Sequence, residues 1–347
     1  MTTEEMEAMV AASYLHWTNV VQATGKVSKK IKRQASVQVF DPNSLERTAF
    51  RFNELKDDRR AAGARILQSA QKNNGERSLP NCKAAYSKLE AAKSNFENLV
   101  EPIQRLQIDL TLSAAMKPNK FRLSPILLLG EPGIGKTYLA TQLAKALGVC
   151  TEKISAGGSQ GGFQMTGSHT GWAGARPGMI FTLLAEGDSA APVLVIDEVE
   201  KIKDATYPVL PVLLDLLDAG SGTKFKDEFF ELEFDASRII FIMTANSIVD
   251  VPPALLSRVE VFDVPPPKPA QRLRIIREIV RNLCLATRRT IELDESSCET
   301  LSQRIDIDLR RVTRLVNEAF TKSMRLGEGV ASLSLPKFSE KRSIGFH

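Results

Sequence analysis

The stretch Gly130-Glu-Pro-Gly-Ile-Gly-Lys136-Thr137 matches the phosphate-binding pattern G-x-x-x-x-G-K-[ST] at every fixed position. Residues 126–129 before it form a short apolar run typical of a buried parallel strand, and residues 138–147 after it have the apolar spacing of a helix. A glycine loop between a strand and a helix N-terminus directs several backbone N–H groups to one point, where phosphate oxygens bind well. We expect Lys136 to reach the β- and γ-phosphates and the Thr137 hydroxyl to coordinate Mg²⁺.

The composition is that of a globular protein. With 347 residues, the chain is long enough for about two domains. No apolar run approaches the ~18 residues of a membrane helix, and the acidic N-terminus is unlike a signal peptide. The four cysteines lack paired metal-ligand spacing and are interpreted as reduced thiols. These features predict a cytoplasmic protein without a membrane partner.

The net charge of +5 lies entirely within residues 1–90, since residues 91–347 are neutral. Residues 4–22 are predicted to be helical, and 26–33 form a basic run, either a solvated linker or a contact for nucleic acid or an acidic partner. Helices are also predicted at 44–72 and 82–93. We therefore predict an N-terminal helical module over residues 1–93 that binds a protein substrate or partner protein.

The remainder is predicted to contain two further regions. A helix at about 96–115 has Pro102 either at a kink or in its first turn. Strands and helices then alternate up to residue 264, which predicts an α/β nucleotide-binding domain over 94–264 with a parallel sheet. After a proline-rich hinge, residues 265–347 are predicted to form a helical lid and a tail.

Two more apolar runs end in polar residues. Residues 193–196 lead into Asp197 and Glu198, and residues 239–245 lead into Asn246. Asp197 can hold the Mg²⁺ shell and Glu198 can polarise an attacking water, which is the division of roles that phosphoryl transfer to water requires. Asn246 can help to orient that water.

Arg258 and Trp172 have two interpretations each. Arg258 follows Leu255-Leu-Ser, where it is either a surface cation or a residue that reaches a neighbour's γ-phosphate. Trp172 lies in segment 155–178, which holds eight of the chain's 21 glycines. This segment is predicted to be mobile and not to pack as a core element. Trp172 within it either folds back onto the sheet or contacts another molecule.

In order and spacing, these motifs resemble the AAA+ module of Lon-type ATP-dependent proteases over roughly residues 94–325. The matching runs are GEPGIGKT, GGSQGGFQMTGSHTGWAGARPGMI, VLVIDEVEKI, KFKDEFFELEFDASRIIFIMTANS, VPPALLSRVEV and DLRRVTRLV. The resemblance implies an AAA+ P-loop fold with a helical lid, ATP and Mg²⁺ as ligands, and a homo-oligomeric, hexameric ring.

The resemblance also implies residue roles. Asn246 corresponds to sensor 1, Arg258 to the arginine finger acting on the adjacent subunit, and Trp172 to the pore-loop aromatic, which is usually Tyr. Arg310 corresponds to sensor 2, with Arg311 and Arg314 as alternatives. The residues implied to contact the nucleotide are Gly130, Glu131, Pro132, Gly133, Ile134, Gly135, Lys136, Thr137 and Tyr138.

The chain departs from the Lon pattern at both ends. Lon proteases carry a Ser-Lys peptidase domain after the lid, whereas only residues 327–347 follow here, so we expect an ATPase without intrinsic peptidase activity. The N-terminal residues show no β-rich substrate domain. The expected function is ATP-driven remodelling or threading of proteins. The alternatives are a nucleic-acid-dependent motor or loader, and a scaffold in which hydrolysis only switches assembly.

Overall fold

The computed structural model describes residues 35–53, 58–158, 161–172, 174–202 and 208–333. The helix predicted at 4–22, the basic run at 26–33 and the tail from 334 onward lie outside the described residues. Within the described part, no helix has both the length and the apolar character needed to cross a membrane.

The first part of the described chain contains four helices and a small antiparallel sheet. In chain order its elements are β1 (Ser36–Gln38), α1 (Pro42–Asn53), α2 (Asp58–Gln71), β2 (Glu76–Ser78), α3 (Cys82–Ala92) and α4 (Val100–Ala115). The single helix predicted over 44–72 was wrong, because two helices occupy this range. The pairing of β1 with β2 was not predicted. Pro102 lies in the first turn of α4, where its missing N–H costs no helical hydrogen bond.

The central part alternates strands and helices as predicted. Its elements are β3 (Ile126–Leu129), α5 (Lys136–Leu147), β4 (Thr151–Ser155), α6 (Phe163–Thr166), α7 (Met179–Glu186), β5 (Val193–Asp197), α8 (Val209–Leu217), α9 (Ala219–Gly222), β6 (Phe225–Asp227), β7 (Leu232–Phe234), β8 (Ile240–Ala245), α10 (Pro253–Leu256) and β9 (Glu260–Asp263).

Five of these strands form a parallel sheet in the order β4-β5-β8-β3-β9, which confirms the predicted parallel α/β sheet. The three central strands are apolar on both faces, as expected for a sheet that is covered on both sides. Because all five strands run in one direction, the segments that follow β3, β5 and β8 meet at one edge. This edge therefore gathers the polar residues predicted from the sequence.

The described residues between 35 and 93 contribute to the same hydrophobic core as the sheet. The Phe40 ring packs against Phe181 at 4.9 Å and against Phe234 at 5.5 Å between centroids. Arg77 is only 2% exposed, and its guanidinium donates hydrogen bonds to backbone carbonyls at the ends of α2 and α7. From residue 35 onward, the predicted N-terminal module is therefore integrated into the nucleotide-binding domain, and partner binding by residues 1–93 stays a prediction.

The lid follows the proline-rich hinge. Its elements are α11 (Pro269–Thr287), β10 (Glu292–Leu293), α12 (Glu295–Gln303), α13 (Leu309–Leu326) and β11 (Val330–Ala331). It has apolar clusters of its own, one of them centred on Ile276, Leu301 and Val316. Within the described residues, β11 forms a two-residue parallel pairing with β10.

Candidate active site

The loop 130–135 connects the end of β3 to the first residue of α5. Gly133 has a φ of +77°, and a Cβ there would come within 2.8 Å of the Asp308 side chain of the lid. Gly135 precedes the helix with a φ of +106°, a conformation that strains residues with side chains. The first N–H groups of α5 have no acceptor within the helix and carry its positive dipole end. The geometry of this loop is therefore suited to cradle an anion.

Lys136 is buried at the start of α5 and bridges two strand ends. Its ammonium donates hydrogen bonds to the Gly130 carbonyl at 2.5 Å, the Glu131 carbonyl at 2.9 Å and Asn246 Oδ1 at 3.1 Å. Burial lowers the pKa of Lys136, although the negative charges of Asp197 and Glu200 oppose this shift. The ammonium thus lies among groups that a phosphate oxygen can replace.

Asp197 ends β5 beside a cation and a hydroxyl. Lys153 on the neighbouring strand β4 forms an ion pair with Asp197 Oδ2 at 2.6 Å, and the Thr244 hydroxyl donates to Oδ1. Burial alone would raise the pKa of Asp197, but the hydrogen bonds from Lys153 and Thr244 outweigh it and lower the pKa. Asp197 is therefore an ionised carboxylate, suitable for a divalent cation.

Glu198 lies next to Asp197 in a left-handed backbone conformation, with a φ of +60°. Its N–H donates to Thr244 Oγ1 at 3.2 Å, and its Oε1 pairs with the Lys201 ammonium at 2.9 Å. Thr244 thus contacts both predicted acidic residues. A threonine within the otherwise apolar run 239–245 was the sequence signal for this contact, and the sequence analysis missed it.

Asn246 follows β8 and makes hydrogen bonds in two directions. Its Oδ1 accepts from Lys136, while its N–H and its Nδ2 both donate to Glu200 Oε1, at 3.1 and 2.8 Å. Glu200 was also missed. Its other carboxylate oxygen is buried and has no hydrogen-bond partner among the described residues, so the site holds an unsatisfied acceptor.

Lys136, Asp197, Glu198 and Asn246 line one cavity of about 440 Å³, together with residues of the lid. Its polar lining includes Lys136, Thr137, Asp197, Glu198 and Asn246, with Asn98, Gln271, Glu278 and Asn282. Its apolar lining includes Phe96, Leu99, Ile134, Tyr138, Ile275 and Ile279. The Phe96 and Tyr138 rings lie 5.5 Å apart. A lining with both charged and apolar side chains suits a ligand with a phosphate chain and an aromatic base.

Arg310 and Arg258, both predicted from the sequence to act at the nucleotide, differ in their position relative to the cavity. Of the three alternatives for sensor 2, Arg310 is the one that lines the cavity. Arg258 follows α10 and is not among the described residues that line it; its guanidinium donates to the Ala254 carbonyl and the Ser257 hydroxyl. The structure thus brings Arg310, but not Arg258, to the cavity of its own chain.

The prediction that segment 155–178 does not pack as a core element was wrong. Met165 in α6 is fully buried, and a Cβ on Gly178 would come within 2.4 Å of the Met165 carbonyl. The glycines allow backbones to approach closely, which is why a glycine-rich segment can pack here. The Asp227 carboxylate accepts hydrogen bonds from the N–H groups of Gly178, Phe229 and Phe230 and fixes the end of the segment.

Trp172 lies in a turn of this segment, and its side chain is 47% exposed. At the base of the turn, the Ser168 N–H donates to the Arg176 carbonyl at 3.0 Å, and the Arg176 N–H donates to Ser168 Oγ at 3.0 Å. Two hydrogen bonds therefore close the turn at its base, and the turn carries a large aromatic residue, Trp172, that is half exposed.

The residues present fit a nucleotide with its magnesium ion. The loop and Lys136 offer N–H groups and an ammonium for phosphates, while Thr137 and Asp197 offer the oxygen ligands that Mg²⁺ prefers. These groups stand together at the carboxyl edge of a parallel sheet, the usual location of ligands in open α/β sheets.

Comparison with known proteins agrees with this site. Residues 126–265 match the family described as "ATPase family associated with various cellular activities (AAA)". Residues 126–265 therefore form an AAA ATPase domain with a P-loop fold, and the match to this family supports ATPase activity. Over this region its homologues are Lon proteases.

Three relatives show the extent of the similarity. The Lon protease of Porphyromonas gingivalis is 31% identical over 287 residues, which is 76% of this chain and 33% of that protein. The Lon protease of Mycoplasmopsis agalactiae is 34% identical over 56% of this chain and 20% of its own length. That of Halothermothrix orenii is 39% identical over 41% of this chain and 18% of its own length. The chain thus spans a third or less of these relatives.

Among solved structures, a RuvB mutant from Thermotoga maritima is similar with a TM-score of 0.46 and 17% identity. The match covers 66% of each chain.

Proposed function

We propose that this chain hydrolyses ATP and uses the energy to remodel or thread protein chains. The observation that carries the proposal is the single cavity that joins Lys136, Asp197, Glu198 and Asn246 to the lid residue Arg310. Phosphoryl transfer to water requires a phosphate cradle, a metal ligand, a carboxylate at the water and a cation at the developing charge.

Each residue has a proposed role in this reaction. The loop 130–135 and Lys136 bind the phosphates, and Glu198 polarises the attacking water. Asn246 orients that water, while Arg310 contributes a positive charge from the lid. Thr137 and Asp197 would hold Mg²⁺, which neutralises phosphate charge when it is bound. The apolar lining residues, including Tyr138 and Phe96, would receive the base.

We further propose a homo-oligomeric, hexameric ring in the cytoplasm. Arg258 would complete the site of an adjacent subunit, which is consistent with its position outside the cavity of its own chain. Lon homology over the AAA region supports a ring of this kind and a protein substrate. The expectation that the chain itself has no peptidase activity stays a prediction.

Trp172 provides the test of remodelling. A half-exposed indole on a closed turn offers a rigid apolar contact for a passing polypeptide. Trp172→Ala should keep ATP binding and much of the basal ATPase rate but lose ATP-dependent unfolding of a fluorescent substrate protein, and Trp172→Tyr should recover it. Unfolding by the alanine variant at the wild-type rate would contradict the proposal, and a lower melting temperature would indicate a packing role instead.

A nucleic-acid-dependent motor is the second candidate, because all of the net positive charge lies in residues 1–90. ATP hydrolysis stimulated by DNA or RNA, with affinity that falls steeply with salt, would favour it. No stimulation by nucleic acid together with stimulation by unfolded protein would favour remodelling.

A further inference from the structure

Lys201 contacts the acidic residue that faces the attacking water. It ends a single 3₁₀ turn, Val199–Lys201, that follows directly after Glu198. Its ammonium lies 2.9 Å from Glu198 Oε1, and its N–H donates to the Glu198 carbonyl at 2.9 Å. The hydrogen bond to Glu198 raises the pKa of Lys201, so that Lys201 is charged at neutral pH. One carboxylate oxygen of Glu198 is thereby engaged, which leaves Oε2 for a water molecule.

The start of the glycine-rich segment contacts Lys201 from the other side. A Cβ built on Gly157 would lie 2.9 Å from Lys201 Cβ and 3.0 Å from its Cδ. Such distances are too short for real Cβ atoms, so any larger residue at 157 must displace the Lys201 stem at its root. The neighbouring Ala156 N–H donates to the Asp197 carbonyl at 2.9 Å, which holds this contact in register with the end of β5.

The Lys201–Glu198 ion pair is exposed, so it contributes little to the stability of the fold. The two side chains are 52% and 34% exposed, and pairs of this kind typically contribute less than ~1 kcal/mol to folding. The ion pair instead orients the Glu198 carboxylate. Glu198 has a left-handed backbone conformation, and the contacts of its side chain fix the direction of that side chain.

We propose that Lys201 is a positioning residue for Glu198, and that Gly157 keeps Lys201 in place. The beginning of the glycine-rich segment then controls the direction of the Glu198 carboxylate, so that a shift of this segment changes the rate of hydrolysis. This inference rests on the proposed role of Glu198 in ATP hydrolysis.

Steady-state ATPase kinetics of the full chain tests the proposal. Lys201→Met, which keeps the stem but removes the charge, should lower kcat about tenfold and leave KM within about twofold, because a ~1 Å misplacement of a catalytic group can cost ~10²-fold. Gly157→Ala should produce a similar loss. The double variant should be no slower than either single one, because both act through the same ion pair. Lys201→Arg should restore most of the rate.

Two control variants separate positioning from general damage. Gly158→Ala places a Cβ 3.6 Å from Ser155 Oγ, an ordinary contact, and should leave kcat unchanged. Lys226→Met removes another half-exposed lysine that pairs with a glutamate, Glu228 at 3.4 Å, and should also be neutral. A wild-type kcat for Lys201→Met, or additive losses in the double variant, would overturn the proposal.

Failure of this inference is distinguishable from failure of the proposed function. If Glu198→Gln retains the wild-type ATPase rate, the assignment of Glu198 fails, and with it the role of Lys201. If Glu198→Gln is inactive while Lys201→Met is fully active, only the positioning role fails. In the Glu198→Gln background, Lys201→Met should have no further effect on the residual rate.

Discussion

Asn246 Oδ1 lies 3.1 Å from the Lys136 ammonium, so that the end of β8 and the start of α5 share a hydrogen bond. The same ammonium donates to the carbonyls of Gly130 and Glu131. These three oxygens occupy the donors that a phosphate chain would use. Under the proposed function, phosphate binding would exchange some of these hydrogen bonds, and the Asn246 side chain would respond to that exchange.

Glu198→Gln should retain ATP binding and nearly abolish ATP hydrolysis. The substitution preserves shape but removes the negative charge that polarises the attacking water, and loss of such a group typically costs ~10²–10⁴-fold in rate. Fluorescent nucleotide binding and phosphate release on the same preparation measure the two effects. Lys136→Ala should instead weaken binding itself, because it removes the cation from the phosphate cradle. An unchanged ATPase rate for Glu198→Gln would show that another group polarises the water.

Arg258→Ala should inactivate ATP hydrolysis, and mixing it with a second variant should restore part of the ATPase activity. An arginine at the γ-phosphate can be worth ~10³–10⁵ in rate. Mixtures of Arg258→Ala, which keeps its own Glu198, with Glu198→Gln, which keeps its own Arg258, should regain part of the ATPase activity. The regained activity should peak at intermediate mixing ratios.

The activity of the wild-type chain gives the control for this experiment. If Arg258 acts between subunits, the specific ATPase activity should fall on dilution as the assembly dissociates. Full activity of a monomer at high dilution would contradict the assignment.

The strands and the site loops were predictable because their signals are local. The glycine loop before Lys136 and the apolar runs that end at Asp197 and Asn246 each identify one strand end, and parallel strands bring these ends to one edge. Lys201 lies only three residues after Glu198 and was also missed. Thr244, Glu200 and Lys153 were missed because their roles depend on contacts between neighbouring strands and turns. No spacing along the chain encodes such contacts.

The burial of Arg77 could not be predicted for the same reason. A helix rich in alanine and charged residues looks solvent-exposed from its sequence, and a buried arginine such as Arg77 looks like a surface cation. In the fold, Arg77 occurs where α2 and α7 both end, and their last carbonyls need donors. The match between one side chain and two distant helix ends is a property of the tertiary structure alone.

Arg77→Met should destabilise the fold by about 3 kcal/mol or more. The side chain donates to the carbonyls of Ser69, Leu184 and Ala185, each at 2.8 Å, and its loss leaves several buried acceptors without partners at ~1–3 kcal/mol each. Urea denaturation measures the free energy of unfolding. Arg65→Met is the matched control, since Arg65 is 82% exposed and makes a 3.6 Å pair with Glu186. Equal stabilities for the two variants would refute this role of Arg77.

Asp227 provides a prediction about pH. It is fully buried on β6, and burial raises the pKa of its carboxyl from 3.8 to about 7, although three backbone N–H donors oppose this shift. The neighbouring Glu228 adds to the increase. Between these two values the folded chain binds more protons than the unfolded chain. The contribution of Asp227 to stability is therefore greatest in acid and is lost as the pH rises through the folded pKa.

Asp227→Asn should remove this pH dependence and also weaken the attachment of the glycine-rich segment. The asparagine oxygen can still accept from Phe229 and Phe230, but its NH₂ group would face the Gly178 N–H, which now donates to Oδ2 at 2.7 Å. The variant should be less stable than the wild type at pH 5. The difference should shrink by about 2–3 kcal/mol by pH 7, at ~1.36 kcal/mol per pH unit. Other titrating groups are common to both proteins and cancel in the comparison, which urea denaturation at each pH measures. A difference that stays constant from pH 5 to pH 8 would show that Asp227 remains ionised in the folded chain throughout.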